Sequence, residues 1–154
     1  MMFNPASRLA LGTANFGLNY GLANQVGKIS QTELEKIISE AALAGIEIID
    51  TAQAYGDSEE RIGSIADSRF QVVTKIGVEL GKSKTETNIG KLAKMSCERL
   101  GRPSLYAIML HSPEVLLDKR GVGIVTELLA LKSENIVSKI GISIYSSDIL
   151  KEIK

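Results

Sequence analysis

Ile48-Ile49-Asp50-Thr51-Ala52-Gln53-Ala54-Tyr55-Gly56-Asp57-Ser58-Glu59-Glu60 reads as one complete junction between a strand and a helix. Two β-branched residues end a buried strand, and the loop delivers an aspartate and, five residues on, a tyrosine. Acidic residues then open a helix, where they complement its dipole. The same unit recurs on both sides of this stretch.

Upstream, Leu9-Ala10-Leu11 is a short apolar run broken at Gly12-Thr13-Ala14-Asn15-Phe16-Gly17, and glycine at that density suits a loop whose backbone approaches something closely. A long loop leads to Ser30, which with Glu33 forms a capping box. Leu34, Ile37, Ile38, Ala41 and Ala42 follow at helical spacing until Gly45 stops the helix. Ile46-Glu47-Ile48-Ile49 is the second strand, and Asp57 with Glu60 offers another capping box for a helix carrying Ile62, Ile65 and Ala66. Downstream, residues 70–75 read as a third strand, and Ile89, Leu92, Ala93, Ser96 and Leu100 share one face of a helix ended by Gly101.

Residues 105–110 are a continuous apolar strand, as expected when both faces are covered, and His111-Ser112-Pro113 ends it. A helix around 124–131 leads to a fifth strand over 137–143, and Ser146 or Ser147 caps a fifth helix that has barely begun at Lys154. The order is β-α four times, then a strand and the start of its helix. Such alternation means parallel strands joined by right-handed crossovers, in a (β/α)8 barrel or in an open five-stranded sheet.

The 154 residues suffice for one good core and predict one domain over 1–154. Eighteen basic and eighteen acidic side chains cancel, so no clustered excess of positive charge points to nucleic acid. The lone Cys97 rules out an intrachain disulfide or a cysteine metal cluster, and its helical setting suits packing in a reducing compartment. Met1-Met2-Phe3-Asn4-Pro5 lacks the pattern of a signal peptide, and no run approaches about 18 apolar residues, so a cytoplasmic protein without a membrane partner is expected.

In either architecture ligands bind at the carboxyl ends of the strands. Gly12 and Thr13 follow strand one, Asp50 and Tyr55 strand two, Lys75 strand three, His111 strand four and Ser143 strand five. Each alone has a plain structural reading: Asp50 binding loop amides, Tyr55 covering the core, Lys75 solvated, His111 a satisfied strand end. Together they form a set able to transfer a proton. A phenol, with an ordinary pKa near 10, is a poor acid or base at neutral pH, but an adjacent ammonium stabilises its phenolate. Lys75 would supply that charge, Asp50 would hold Lys75 in place, and His111 would turn a substrate carbonyl toward Tyr55.

The stretches Gly12-Thr13-Ala14-Asn15-Phe16-Gly17, Asp50-Thr51-Ala52-Gln53-Ala54-Tyr55-Gly56, Val73-Thr74-Lys75, Leu110-His111-Ser112-Pro113 and Gly141-Ile142-Ser143 resemble the aldo-keto reductase family, in order and at suitable separations. The resemblance covers nearly the whole chain. It implies a (β/α)8 TIM barrel that uses NADPH, or NADH, to reduce aldehydes and ketones to alcohols. Tyr55 would be the proton donor, Lys75 and Asp50 its tuning pair, and His111 the residue that aligns the carbonyl. Gly12, Thr13, Ala14, Asp50 and Ser143 would lie against the cofactor, and no metal is implied.

Two departures from the family pattern stand out. The family usually shows Ser-Asn after its fifth strand, whereas Ser143 is followed by Ile144, which leaves Ser143 alone at that position. A barrel of this kind typically needs about 250 residues, and Lys154 falls about where strand six should begin. The aromatic platform for the nicotinamide and the sites for the pyrophosphate and adenosine phosphate would lie beyond. Five strands that cannot close leave two wet edges, so marginal stability and self-association are expected. A chain cut short, a truncated gene product and half-barrels pairing between chains all fit. The rival to reductase activity is a catalytically silent fragment or an interaction module recruiting a partner through those edges. The substrate is not encoded in these stretches.

Overall fold

A computed structural model describes residues 8–22, 24–25, 27–65, 68–78 and 88–153. Five parallel strands lie side by side in chain order: β1 (Ala10–Gly12), β2 (Ile48–Asp50), β3 (Gln71–Ile76), β4 (Leu105–Leu110) and β5 (Val137–Ile142). The connections carry α2 (Gln31–Ala44), α3 (Ser58–Ile65), α4 (Ile89–Arg99) and α5 (Gly121–Ser133), with a short turn α1 (Ala14–Gly17) after β1 and α6 (Ile149–Glu152) after β5. A doubly wound sheet reverses its strand order at a switch point, whereas consecutive order with right-handed crossovers keeps every helix on one face. The sheet is therefore an open arc of the barrel kind, with β1 and β5 as its edges.

Both ends of α2 form where the sequence predicts. Ser30 Oγ accepts from Glu33 N at 3.1 Å, and Gly45 closes α2 at φ +83°, a left-handed conformation natural to glycine. Asn88 caps α4 through Lys91 N at 2.7 Å. The Asp57 carboxylate is instead taken by Lys28 at 2.6 Å, across from the long loop after β1. Ala66, expected at the end of the second helix, lies outside the described residues, as do Met1–Pro5 and Lys154.

The core fills the space between sheet and helices. Ile49, Val72, Ile76, Ile108 and Leu110 project from the strands onto Leu34 and Ile38 of α2, Ile62 of α3, Ile89 and Ala93 of α4, and Ile124, Leu128 and Leu131 of α5. Burying each such side chain contributes about 1.5–3 kcal/mol. Glu59, 1% exposed on α3, accepts from Thr74 Oγ1 at 2.7 Å and pairs with Arg99 Nη1 of α4 at 3.3 Å. Thr74 thus faces the helices, so its neighbours Val73 and Lys75 face the opposite way. Asp50, Val73 and Ala107 are register partners, as are Lys75, Met109 and Gly141, so Asp50 and Lys75 share the helix-free face. No helix among the described residues is long and apolar enough to cross a membrane.

Candidate active site

Lys75 reaches across from β3 to ion-pair with Asp50 Oδ1 at the end of β2, and its ammonium also donates to Thr51 O at 3.2 Å. Its side chain is 9% exposed, so the charge is removed from bulk water and held by two acceptors. The same Nζ lies 5.4 Å from the centre of the Tyr55 ring. The His111 ring meets Tyr55 edge to face, with centroids 6.0 Å apart. Four residues from three successive strand ends, Asp50, Tyr55, Lys75 and His111, thus form one cluster.

His111 follows β4, and its N–H donates to Ile76 O at 2.9 Å. Burial, and then the charge of Lys75, pushes its imidazole below the ordinary 6.5, with Asp50 pulling the other way. The ring is therefore neutral at neutral pH, with one N–H to give and one lone pair to receive.

Gly12, Thr13, Ala14, Asn15 and Tyr20 line a cleft of about 260 Å³ with Asp50 and Tyr55. Thr13 is wholly buried: its N–H and hydroxyl both donate to Asp50 O, at 3.1 and 2.9 Å, and Ser58 Oγ donates to it at 3.1 Å. Thr13 therefore holds the floor of the cleft, and its hydroxyl is already committed. Lys75, His111 and Ser143 are not among the lining residues. Ser143 directly follows β5, with its N–H on Leu110 O at 2.9 Å, one residue from His111. A larger cavity of about 620 Å³, between α4 and α5, is on the helix layer, away from this chemistry.

The glycine-rich loop makes the close approach that its composition predicts. A Cβ at Gly17 would sit 1.7 Å from Tyr55 O, and one at Gly56, whose φ is +59°, would sit 2.4 Å from Gly17 O. The two loops touch backbone to backbone beside Tyr55. Residues 20, 15 and 53 escaped the sequence reading. Tyr20 and Asn15 enter the cleft through the fold of the long loop, and nothing in their spacing marks them. Gln53 stands in the quoted loop itself, and only the position of α4 reveals its contacts.

The Aldo/keto reductase family model matches residues 8–154. An aldo-keto reductase of Mycolicibacterium smegmatis is 30% identical over 137 residues, which cover 83% of this chain and 46% of the relative. An uncharacterised oxidoreductase of Schizosaccharomyces pombe is 32% identical over 127 residues, 75% of this chain and 44% of that one. Among solved structures, the aldo-keto reductase of Bacillus halodurans in its holo form superposes with a TM-score of 0.72 at 24% identity, over 94% of this chain and 48% of that one. One from Klebsiella pneumoniae in complex with NADPH gives 0.65 at 22% identity, over 93% and 47%. The chain thus spans about half the length of the relatives it matches. By this match over all but its first seven positions, the chain belongs to the aldo/keto reductase family.

Proposed function

We propose that the chain is the N-terminal part of an NAD(P)H-dependent oxidoreductase that reduces an aldehyde or ketone of a small molecule to an alcohol. The observation that carries this reading is the placement of Lys75 Nζ, 5.4 Å from the Tyr55 ring while ion-paired to Asp50. Tyr55 Oη gives its proton to the carbonyl oxygen, and the Lys75 ammonium stabilises the phenolate left behind. Asp50 keeps that ammonium in place. His111, neutral, presents an N–H that orients the carbonyl oxygen toward Tyr55.

Two features fit a nicotinamide cofactor in the cleft. The backbone at Gly12 opens on free space, where an added Cβ meets nothing within 4 Å. Asn15 Oδ1 is buried without a hydrogen-bond partner among the described residues, an acceptor awaiting a donor. Gly12, Thr13, Ala14, Asp50 and Ser143 would lie against the cofactor, which supplies the hydride when bound. The NADPH in the Klebsiella pneumoniae relative supports this choice.

Replacing Tyr55 by Phe is expected to remove most NADPH-dependent carbonyl reduction while leaving NADPH affinity nearly unchanged. Full activity in that variant would overturn the assignment. The open edges at β1 and β5 favour a second reading, a silent fragment or interaction module. NADPH separates the two: binding stabilises the folded state by RT ln(1 + [L]/Kd) and so raises the melting temperature, and no shift at high NADPH favours the silent fragment.

A further inference from the structure

Gln53 lies midway between Asp50 and Tyr55, and its side chain points away from the cleft to the helix behind it. Its Nε2 donates to Leu92 O at 2.7 Å and to Ser96 Oγ at 2.9 Å, both on α4. Leu92 O can only accept, which settles which end of the amide faces the helix. Ser96 is wholly buried, so this amide meets a hydroxyl that has no water to turn to. The Gln53 backbone N–H donates to Lys75 O at 3.0 Å. One residue is thus bonded to the residue that carries the ammonium and to the helix that follows it.

Just before Gln53, Thr51 N donates to Val73 O at 2.9 Å and Thr51 O accepts from the Lys75 ammonium, while the turn that follows is closed by short-range bonds. Tyr55 N donates to Ala52 O at 3.0 Å and Ser58 N to Tyr55 O at 3.1 Å, bonds within the turn itself. Gln53 is the point at which the turn between Ala52 and Tyr55 is bolted to β3 and α4. Resting on the reductase reading above, we propose that Gln53, with Ser96, is a positioning residue that sets the Tyr55 phenol against Lys75 through helix α4. It touches neither substrate nor cofactor. Its effect is on the distance over which the proton donor and the ammonium communicate, and a displacement of about 1 Å at such a site can cost about a hundredfold in rate.

The test compares the full chain with Gln53→Met, which keeps length but removes both donors, with Ser96→Ala, with the double variant, and with Tyr55→Phe. Three readouts are needed: kcat and KM for NADPH-dependent carbonyl reduction, amide hydrogen exchange, and the ¹³Cζ resonance of the Tyr55 ring, assigned by its loss in Tyr55→Phe. Gln53→Met is expected to lower kcat about tenfold or more with KM within about twofold. Its backbone amides at positions 53 and 55 should exchange faster while β3 and β4 keep their protection, and the Tyr55 resonance should move. Ser96→Ala should do the same to a smaller extent, and the double variant should be no worse than Gln53→Met, because the two side chains act as one unit. A wild-type kcat in Gln53→Met overturns the inference, as does a loss that tracks a fall of protection throughout the sheet. If the wild-type chain shows no turnover, an unmoved Tyr55 resonance in Gln53→Met overturns it. Activity retained by Tyr55→Phe overturns the reductase reading instead, and the exchange and resonance results are unaffected by that outcome.

Discussion

His111 is the one histidine of the sequence, so its imidazole can be followed without ambiguity. Burial and Lys75 depress its pKa in the folded chain, which therefore binds fewer protons than the unfolded chain at mildly acidic pH. The stability tied to this group is complete above the ordinary value of 6.5 and is lost as pH falls through the lower folded value. Denaturant midpoints should thus drop between pH 7.5 and 5, and drop less in His111→Gln; equal slopes would argue against the shift. The Lys75–Asp50 pair behaves differently. Lys75→Met removes the cation that a carboxylate two-thirds hidden from solvent relies on, and a loss of about 2–3 kcal/mol on chemical denaturation is expected. A loss below about 0.5 kcal/mol would mean that water already serves Asp50.

Among the contacts that attach helix α3 to its neighbours are a buried carboxylate and a bare glycine. Thr74→Val removes the hydroxyl that Glu59 accepts from and should cost about 1.5–3 kcal/mol, the range for a hydrogen bond to a charged group, read from denaturant midpoints. At Gly63 a Cβ would stand 2.3 Å from Arg99 O at the end of α4, so α3 and α4 meet there backbone to backbone. The elements themselves were legible in proportion to how locally they are determined. β4 matches the expected 105–110 because its apolar run is unbroken, and α2 begins and ends where Ser30 and Gly45 place it. β1 to β3 start one or two residues later than their apolar runs, because ladder pairing and not composition sets strand limits. The turn α1 and the 3₁₀ turn Pro113–Leu117 leave no periodic pattern to read. At the site, the Asp50, Tyr55, Lys75 and His111 cluster was readable since parallel strands end on one side, whereas Gln53, Asn15 and Tyr20 depend on what packs around them.

At the scale of the molecule, the helix-free face of the sheet and its two edges remain open. Gln71 and Lys139 are exposed there, and Val122, Val125 and Leu129 of α5 and Leu43 of α2 present apolar side chains to solvent at the two ends of the helix layer. Unpaired strand edges beside apolar patches promote pairing between chains. Sedimentation at rising concentration should show reversible self-association, weakened by joint substitution of Val125 and Leu129 with Glu; a monomer at every concentration would mean the edges are covered by the chain itself.

Strand order that equals chain order also has a consequence in time. Each strand pairs with the one made just before it, so the sheet can grow in the direction of synthesis without waiting for a distant partner. Asp50, Tyr55, Lys75 and His111 all precede β5, and their cluster can be assembled on the ribosome while the rest of the chain is still being translated.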